Sequence, residues 1–288
     1  MITEEQRSAR KNFIGSSDAA AVVGCDPFKT AADVYYEKTH ETEAWDGNAA
    51  TEIGNLLENI ILDWGASKLG IEIKKSERFI HSNGFMLSHP DGVGVSEPVI
   101  LEGKTAGIIT PFDRNKWGEV ETNEIPENYL VQCQHHLACA GPEYKVCHVP
   151  VLLGGVGLRM YHVERDEDFI SMMENIEAKF WNENVLKLVP PEDATPSLEL
   201  MRRIKRMPNK TIKIESSLIS NWEEAKAVLK EAEKRKSEAE AILLAALGDA
   251  EAADCERGTL TYLEQTRKAC QAKASTFRVP RFKEARHG

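Results

Sequence analysis

The order in which hydrophobic periodicity changes along this chain restricts its fold more than any single motif. "NAATEIGNLLENIILDWGASKLG" keeps apolar residues at Ile53, Leu56, Leu57, Ile60 and Ile61, close to a 3.6-residue period, and reads as a helix. Three short strand-like pieces follow, "IEIKKSERFI", "FMLSHPDGVG" and "VILEGKTA". Residues 126–141 return to a helical pattern, and "YKVCHVPVLLGGVGLRMYHVER" reads as two strands joined by a glycine turn. "DEDFISMMENIEAKFWNENVLKLVPP" is an amphipathic helix stopped by a proline pair. Helix, strands, helix and hairpin together predict an α/β core with a mixed central sheet flanked by helices. A helix over about 3–12 precedes it, and "FIGSSDAAAVVG" reads as a Ser/Asp-capped helix of small residues.

Composition changes after "LVPPEDATPS", so the core is expected over 1–195 and a C-terminal extension over 196–288. The extension holds a charged, alanine-rich helix, packed on the core or on a neighbouring subunit, and short strands near 259–266 and 275–283. The formal net charge of −10 speaks at first against a nucleic-acid partner, but it is unevenly placed. Residues 201–288 carry 19 Lys/Arg against 13 Asp/Glu, leaving 17 against 33 of the chain's 36 and 46 for the first 200. The segment from Arg267 to Arg286 has seven basic residues and one acidic one, Glu284, so a locally basic DNA path is compatible with the total. Six scattered cysteines with no CxxC pair read as reduced thiols, and the charged start "MITEEQRSARKNF" lacks a signal-peptide core. With no apolar run of membrane-spanning length, the expectation is a cytoplasmic protein with no membrane partner.

The residues that could carry chemistry cluster in "HPDGVGVSEPVILEGKTA". Strand alternation puts Glu102 and Lys104 on one face, while Asp91 sits in a Pro-Asp-Gly turn delivered by the preceding strand. Two carboxylates and a main-chain carbonyl suffice for Mg²⁺, which prefers hard oxygen ligands and keeps several waters. A bound cation and an ammonium on one side suit phosphodiester hydrolysis. A surface hairpin with ordinary charges would give the same pattern. Glu58, within "GNLLE", is a candidate ligand for a second ion, or else part of a solvated helix face. Gln132 and Gln134 could order a metal-bound water. Cys133, His135, His136, Cys139 and Cys147 fit zinc or iron–sulfur spacing poorly and read as packing residues, and "LGGVG" lacks the strand–helix context of a dinucleotide site.

"IGSSDAAAVVG", "GNLLE", "HPDG", "LEGK" and "YLVQCQHH", in that order, resemble the YqaJ-type viral recombinases. These are lambda-exonuclease-like alkaline exonucleases of the PD-(D/E)xK nuclease superfamily. The resemblance covers roughly residues 8–190, although His89 stands where the family has serine. It implies a PD-(D/E)xK restriction-endonuclease-like core with Asp91, Glu102, the Gly103 carbonyl and Glu58 as ligands of Mg²⁺, or of Mn²⁺ in its place. Asp91, Glu102, Lys104 and Gln132 would be the catalytic set, with Lys104 orienting and helping to deprotonate the attacking water. An arginine seven residues before a serine holds the 5′-phosphate in the family, and that spacing falls on Arg10 and Ser17. Ser17 as a mere N-cap is the plainer reading.

The implied activity is exonuclease digestion of linear double-stranded DNA, 5′ to 3′. It would leave 3′ overhangs for phage-type recombination with a single-strand annealing protein. The implied assembly is a homo-oligomer, the ring-shaped trimer being the relatives' form, in the cytoplasm of a bacterial host carrying a phage or prophage gene. A structure-specific endonuclease and a non-catalytic DNA-binding protein are the rival readings.

Overall fold

The computed structural model describes residues 11–45, 47–75, 77–109 and 116–266, and the chain divides into two compact units after Arg206. Leu200 and Ile204 are buried, and Ser197 donates its N–H to Asp33 Oδ1 at 2.7 Å. These contacts tie residues 197–204 to the first unit and move the division past the 195/196 boundary expected from composition.

In the first unit, β1 (Ile14–Gly15) leads into α1 (Ser16–Val23), α2 (Ala31–Thr39) and α3 (Ala49–Leu69). Then come β2 (Ile73–Lys74), β3 (Phe79–Ile80), β4 (Met86–Ser88), β5 (Gly92–Gly94), β6 (Val99–Leu101) and β7 (Lys104–Ala106). Helix α4 (Glu127–Ala140), the hairpin β8 (Val146–Leu153) and β9 (Gly157–Glu164), α5 (Glu167–Lys179) with a π-helical turn, and α6 (Leu198–Arg203) complete it. The expected helix over 3–12 lies outside the described residues up to 10, and residues 11 and 12 form a turn.

The central sheet is mixed, as the sequence predicts. Strand β9 runs antiparallel along the whole of β8, while β6 and then β7 pair parallel with β8, so β6 and β7 lie end to end along its other edge. Strand β5 is antiparallel to β6, and β2 to β5. A small second sheet pairs β4 with β1 in parallel and with β3 antiparallel. Alternate residues of β8, Cys147, Val149, Val151 and Leu153, enter the main core with Cys133 and Leu137 of α4 and the alanines of α1. The opposite face is covered by α3 through Leu62 and Ala66 against Leu101. A Cβ at Gly65 would lie 2.9 Å from the Pro150 ring, so glycine is what lets α3 approach β8 so closely. Burial on α3 starts at Ile61, leaving Leu56 and Ile60 exposed although their spacing placed them on the apolar stripe.

The second unit contains α7 (Ser216–Leu247) and a hairpin of β10 (Ala252–Cys255) and β11 (Gly258–Thr261). Only β11 overlaps a predicted strand. "AADC" has no β-forming pattern of its own and becomes a strand by pairing across the two-residue turn Glu256–Arg257. The predicted strand at 275–283 and the basic tail lie outside the described residues. Among the described residues, no helix is long and apolar enough to cross a membrane.

One buried ion pair fastens the helices to the small sheet. His135 Nδ1 lies 3.0 Å from Glu177 Oε1 and its Nε2 3.3 Å from the Leu87 carbonyl, with both side chains fully buried. Both ring nitrogens face acceptors, which requires an imidazolium. Burial opposes that charge, but Glu177 outweighs it and holds His135 well above its ordinary value. The stability this pair contributes is therefore complete below about pH 6.5 and lost as pH climbs through the raised value. Glu177→Ala is expected to cost about 3 kcal/mol at pH 6. The deficit should shrink in alkaline buffer, as read by urea midpoints at both pH values.

Candidate active site

Val99–Leu101 pair with Val146–His148, and Lys104–Ala106 with Val151–Leu153. The offset is the same on both sides, so Glu102 and Gly103 leave the ladder without shifting its register. Glu102 N–H still donates to the His148 carbonyl at 3.0 Å. Period-two alternation turns Glu102 and Lys104 toward α4 and sets Gly103 over Leu62 of α3. Gly92 lies opposite Leu101 in the antiparallel β5–β6 pair, so the preceding Asp91 comes opposite Glu102. The Gly103 N–H donates to Asp91 Oδ2 at 2.9 Å and fixes that carboxylate.

Helix α4 presents Tyr129, Gln132 and His136 to these strand ends. Lys104 Nζ and Gln132 Nε2 each donate to Glu102 Oε1 at 2.6 Å, and Lys104 also donates to Gln132 Oε1 at 3.1 Å, closing a triangle. The Tyr129 ring lies 4.9 Å from the Lys104 ammonium. His136 Nδ1 faces the hydroxyls of Ser88 at 2.6 Å and Ser16 at 3.2 Å. Nε2 lies 3.2 Å from Glu102 Oε2, and because an ionised carboxylate only accepts, the ring proton belongs on Nε2 and Nδ1 is left to accept from a hydroxyl. His136 Nε2 and Glu102 Oε2 are buried, and among the described residues neither has another partner.

The charges are strongly coupled. Burial pushes the Glu102 carboxyl up, but Lys104 and then His136 outweigh it and hold it at about 2. Burial and then the neighbouring Glu102 charge push Asp91 well above the usual carboxylate range. Lys104 is opposed by burial yet held above its ordinary value by Glu102 and Asp91, while burial keeps His136 neutral by lowering it. A deprotonated buried carboxylate beside a carboxyl kept from ionising by its neighbour fits a hard divalent cation. Among the described residues, no three His, Cys, Asp or Glu side chains converge as a complete ligand set, so any such ion would keep much of its water.

Asp91, Glu102, Gly103, Lys104 and Gln132 thus come together. Glu58 stands exposed on α3; its charge acts on Asp91, but it makes no hydrogen bond within the cluster. Ser17 is exposed in the first turn of α1, whose N-cap is Gly15, so the N-cap reading of Ser17 does not hold. Its neighbour Ser16 is the serine turned inward, and Arg10 lies outside the described residues. The sequence does not single out Ser16 and Ser88, and His136, which reads there as a packing residue, is instead turned toward Glu102. The i,i+4 spacing of Gln132 and His136 on one helix face was the available signal. Gln134 points elsewhere, bridging the Glu164 carbonyl and the Asp166 N–H. Cys133, Cys139 and Cys147 are core residues.

Residues 6–143 match the family model of the YqaJ-like viral recombinase domain. The uncharacterized protein YqaJ of Bacillus subtilis (strain 168) is 32% identical over 189 residues, covering 65% of this chain and 57% of that relative. The matched region is therefore little more than half of the relative's length. Among solved structures, the alkaline exonuclease LHK-Exo from Laribacter hongkongensis gives a TM-score of 0.52 at 21% identity over 65% of this chain and 94% of that one. Its complex with dAMP gives 0.52 at 22% identity over the same shares. The likeness to these structures is one of fold, a mixed sheet flanked by helices.

The His136 contact can be tested by stability alone. His136→Leu strands Glu102 Oε2 and is expected to cost about 1–3 kcal/mol. His136→Asn retains a donor and should recover about half of that loss. Denaturant midpoints of the three proteins make the comparison, and equal midpoints for Leu and Asn would show that the contact carries no weight.

Proposed function

We propose that this chain, whose residues 6–143 match the YqaJ-like viral recombinase domain, is a metal-dependent exonuclease acting on linear double-stranded DNA. In this reading it digests the strand 5′ to 3′ and leaves 3′ overhangs for recombination by strand annealing. The observation that carries the proposal is the Glu102–Lys104–Gln132 triangle facing Asp91 at adjoining strand ends. Asp91, Glu102 and the Gly103 carbonyl would hold Mg²⁺, or Mn²⁺ in its place, with Glu58 the remaining candidate ligand. Such an ion, when bound, supplies charge to the phosphate and acidifies a water.

The chain's own residues do the positioning. Gln132 holds both Glu102 Oε1 and the Lys104 ammonium through its amide, and His136 aims at the second Glu102 oxygen. Lys104 in this arrangement stays protonated. Its part is to orient the water and offset charge on the scissile group.

Ser17 stands where a helix N-terminus favours an anion. Beside it, three cations (Lys29, Lys38 and Arg203) meet two carboxylates (Asp18 and Glu37). With Arg10, Ser17 is the proposed contact for the terminal 5′-phosphate. A single-strand annealing protein and a homo-oligomeric ring complete the proposal on the strength of the family resemblance.

A linear duplex labelled at one end or the other, incubated with and without Mg²⁺, tests the reading. Nucleotides should leave the 5′-ended strand only with the cation, and a covalently closed circle should stay intact; a cut circle would mean an endonuclease. Glu102→Gln is expected to lower cleavage at least about 10²-fold, and Lys104→Ala to lower kcat by a similar factor, with DNA-end binding retained in both. Wild-type turnover in the Glu102 variant would remove the carboxylate from the mechanism.

A further inference from the structure

The loop between α1 and α2 carries an aromatic side chain that the catalytic cluster does not use. Phe28 is 77% exposed, yet its backbone is firmly held. Asp26 Oδ1 accepts from the N–H groups of Phe28 at 2.7 Å and Lys29 at 3.0 Å, and Cys25 and Asp26 both donate to the Ala20 carbonyl. Lys29 pins the far end of the loop through ion pairs with Asp18 and Glu37. The ring is therefore displayed on a fixed support.

Behind it lies a shallow cleft lined by Pro27, Phe28, Thr105, Trp117 and Tyr129. Tyr129 joins it to the catalytic cluster, since its ring packs against the Lys104 ammonium, with Trp117 in turn 5.8 Å from Tyr129. The cleft encloses only about 50 Å³, room for a water or two and not for an extruded base. At the rim of this cleft the Phe28 side chain is left open to solvent.

Resting on the nuclease reading, we propose that Phe28 is a stacking platform for the nucleobase of the terminal nucleotide, the one next to the phosphate being cut. Stacking on an aromatic face accepts any base, which suits an enzyme that must digest every sequence it meets. Phe28 is on this account a positioning residue that sets where the strand end stops relative to Glu102 and Lys104.

The test uses the full-length protein without added metal and a linear duplex bearing 2-aminopurine as its terminal 5′ nucleotide, compared with the same duplex made abasic there. Wild type should quench the 2-aminopurine. Phe28→Ala should lose the quench and bind the base-bearing end about tenfold more weakly, whereas Phe28→Trp should keep both properties. On the abasic end wild type and Phe28→Ala should bind alike. Equal binding of the two proteins to the base-bearing end would overturn the proposal, as would a loss that persists on the abasic end. In both cases the wild-type enzyme still binds and digests DNA with Mg²⁺, so the nuclease reading survives. A wild-type protein that neither binds nor digests duplex ends would sink both together.

Discussion

Two carboxylates placed side by side and partly out of water repel each other, and most of what surrounds β6 and β7 answers that repulsion. Glu102 is kept charged by a lysine, a glutamine amide and a histidine that converge on its two oxygens. Asp91 is left with one backbone N–H and a carboxyl that resists ionising. The asymmetry has a structural cause. Glu102 faces α4, whose side chains can reach it, whereas Asp91 ends a turn and can recruit little beyond the adjoining main chain. On the proposed reading, a divalent cation between the two carboxylates would relieve that repulsion.

Much of this could be read from the chain. The alternation in "LEGK" places Glu102 and Lys104 on one face, and the order of periodicities gives the α/β core, because both depend on local backbone geometry. The meeting of Asp91 with Glu102 is also nearly local, since β5 and β6 are consecutive antiparallel strands. What stayed hidden depends on distant partners. His136 looks like a core residue until β4 and α1 bring Ser88 and Ser16 to its Nδ1. The strand "AADC" exists only because its partner folds back on it. Leu56 and Ile60 keep a helical period but face solvent, because α3 meets the sheet only from Ile61 onward. Periodicity reports which face of a helix is apolar, not how much of the helix the core reaches.

The small second sheet supports the site indirectly. Strand β4 delivers Ser88 to His136 and the Leu87 carbonyl to His135, so two adjacent residues of one strand hold two adjacent histidines of α4. One histidine is charged and sealed by Glu177; the other is neutral and turned to Glu102. Each ring faces a carboxylate, so the opposite protonation states follow from the other nitrogen, which meets a carbonyl that can only accept in His135 and hydroxyls that can donate in His136.

The unbroken register along β8 has a consequence for which changes this chain can tolerate. Because Val99–Leu101 and Lys104–Ala106 are both tied to the same strand, the two residues between them behave like graduations on a ruler. A substitution at Glu102 or Gly103 alters chemistry at a fixed address. One residue gained or lost there would either drag β7 out of step with β8 or rotate the lysine onto the α3 face, away from glutamine and carboxylate alike. Length in this segment is therefore less negotiable than identity, and the single residue separating acid from base is set by the pitch of a β-ladder.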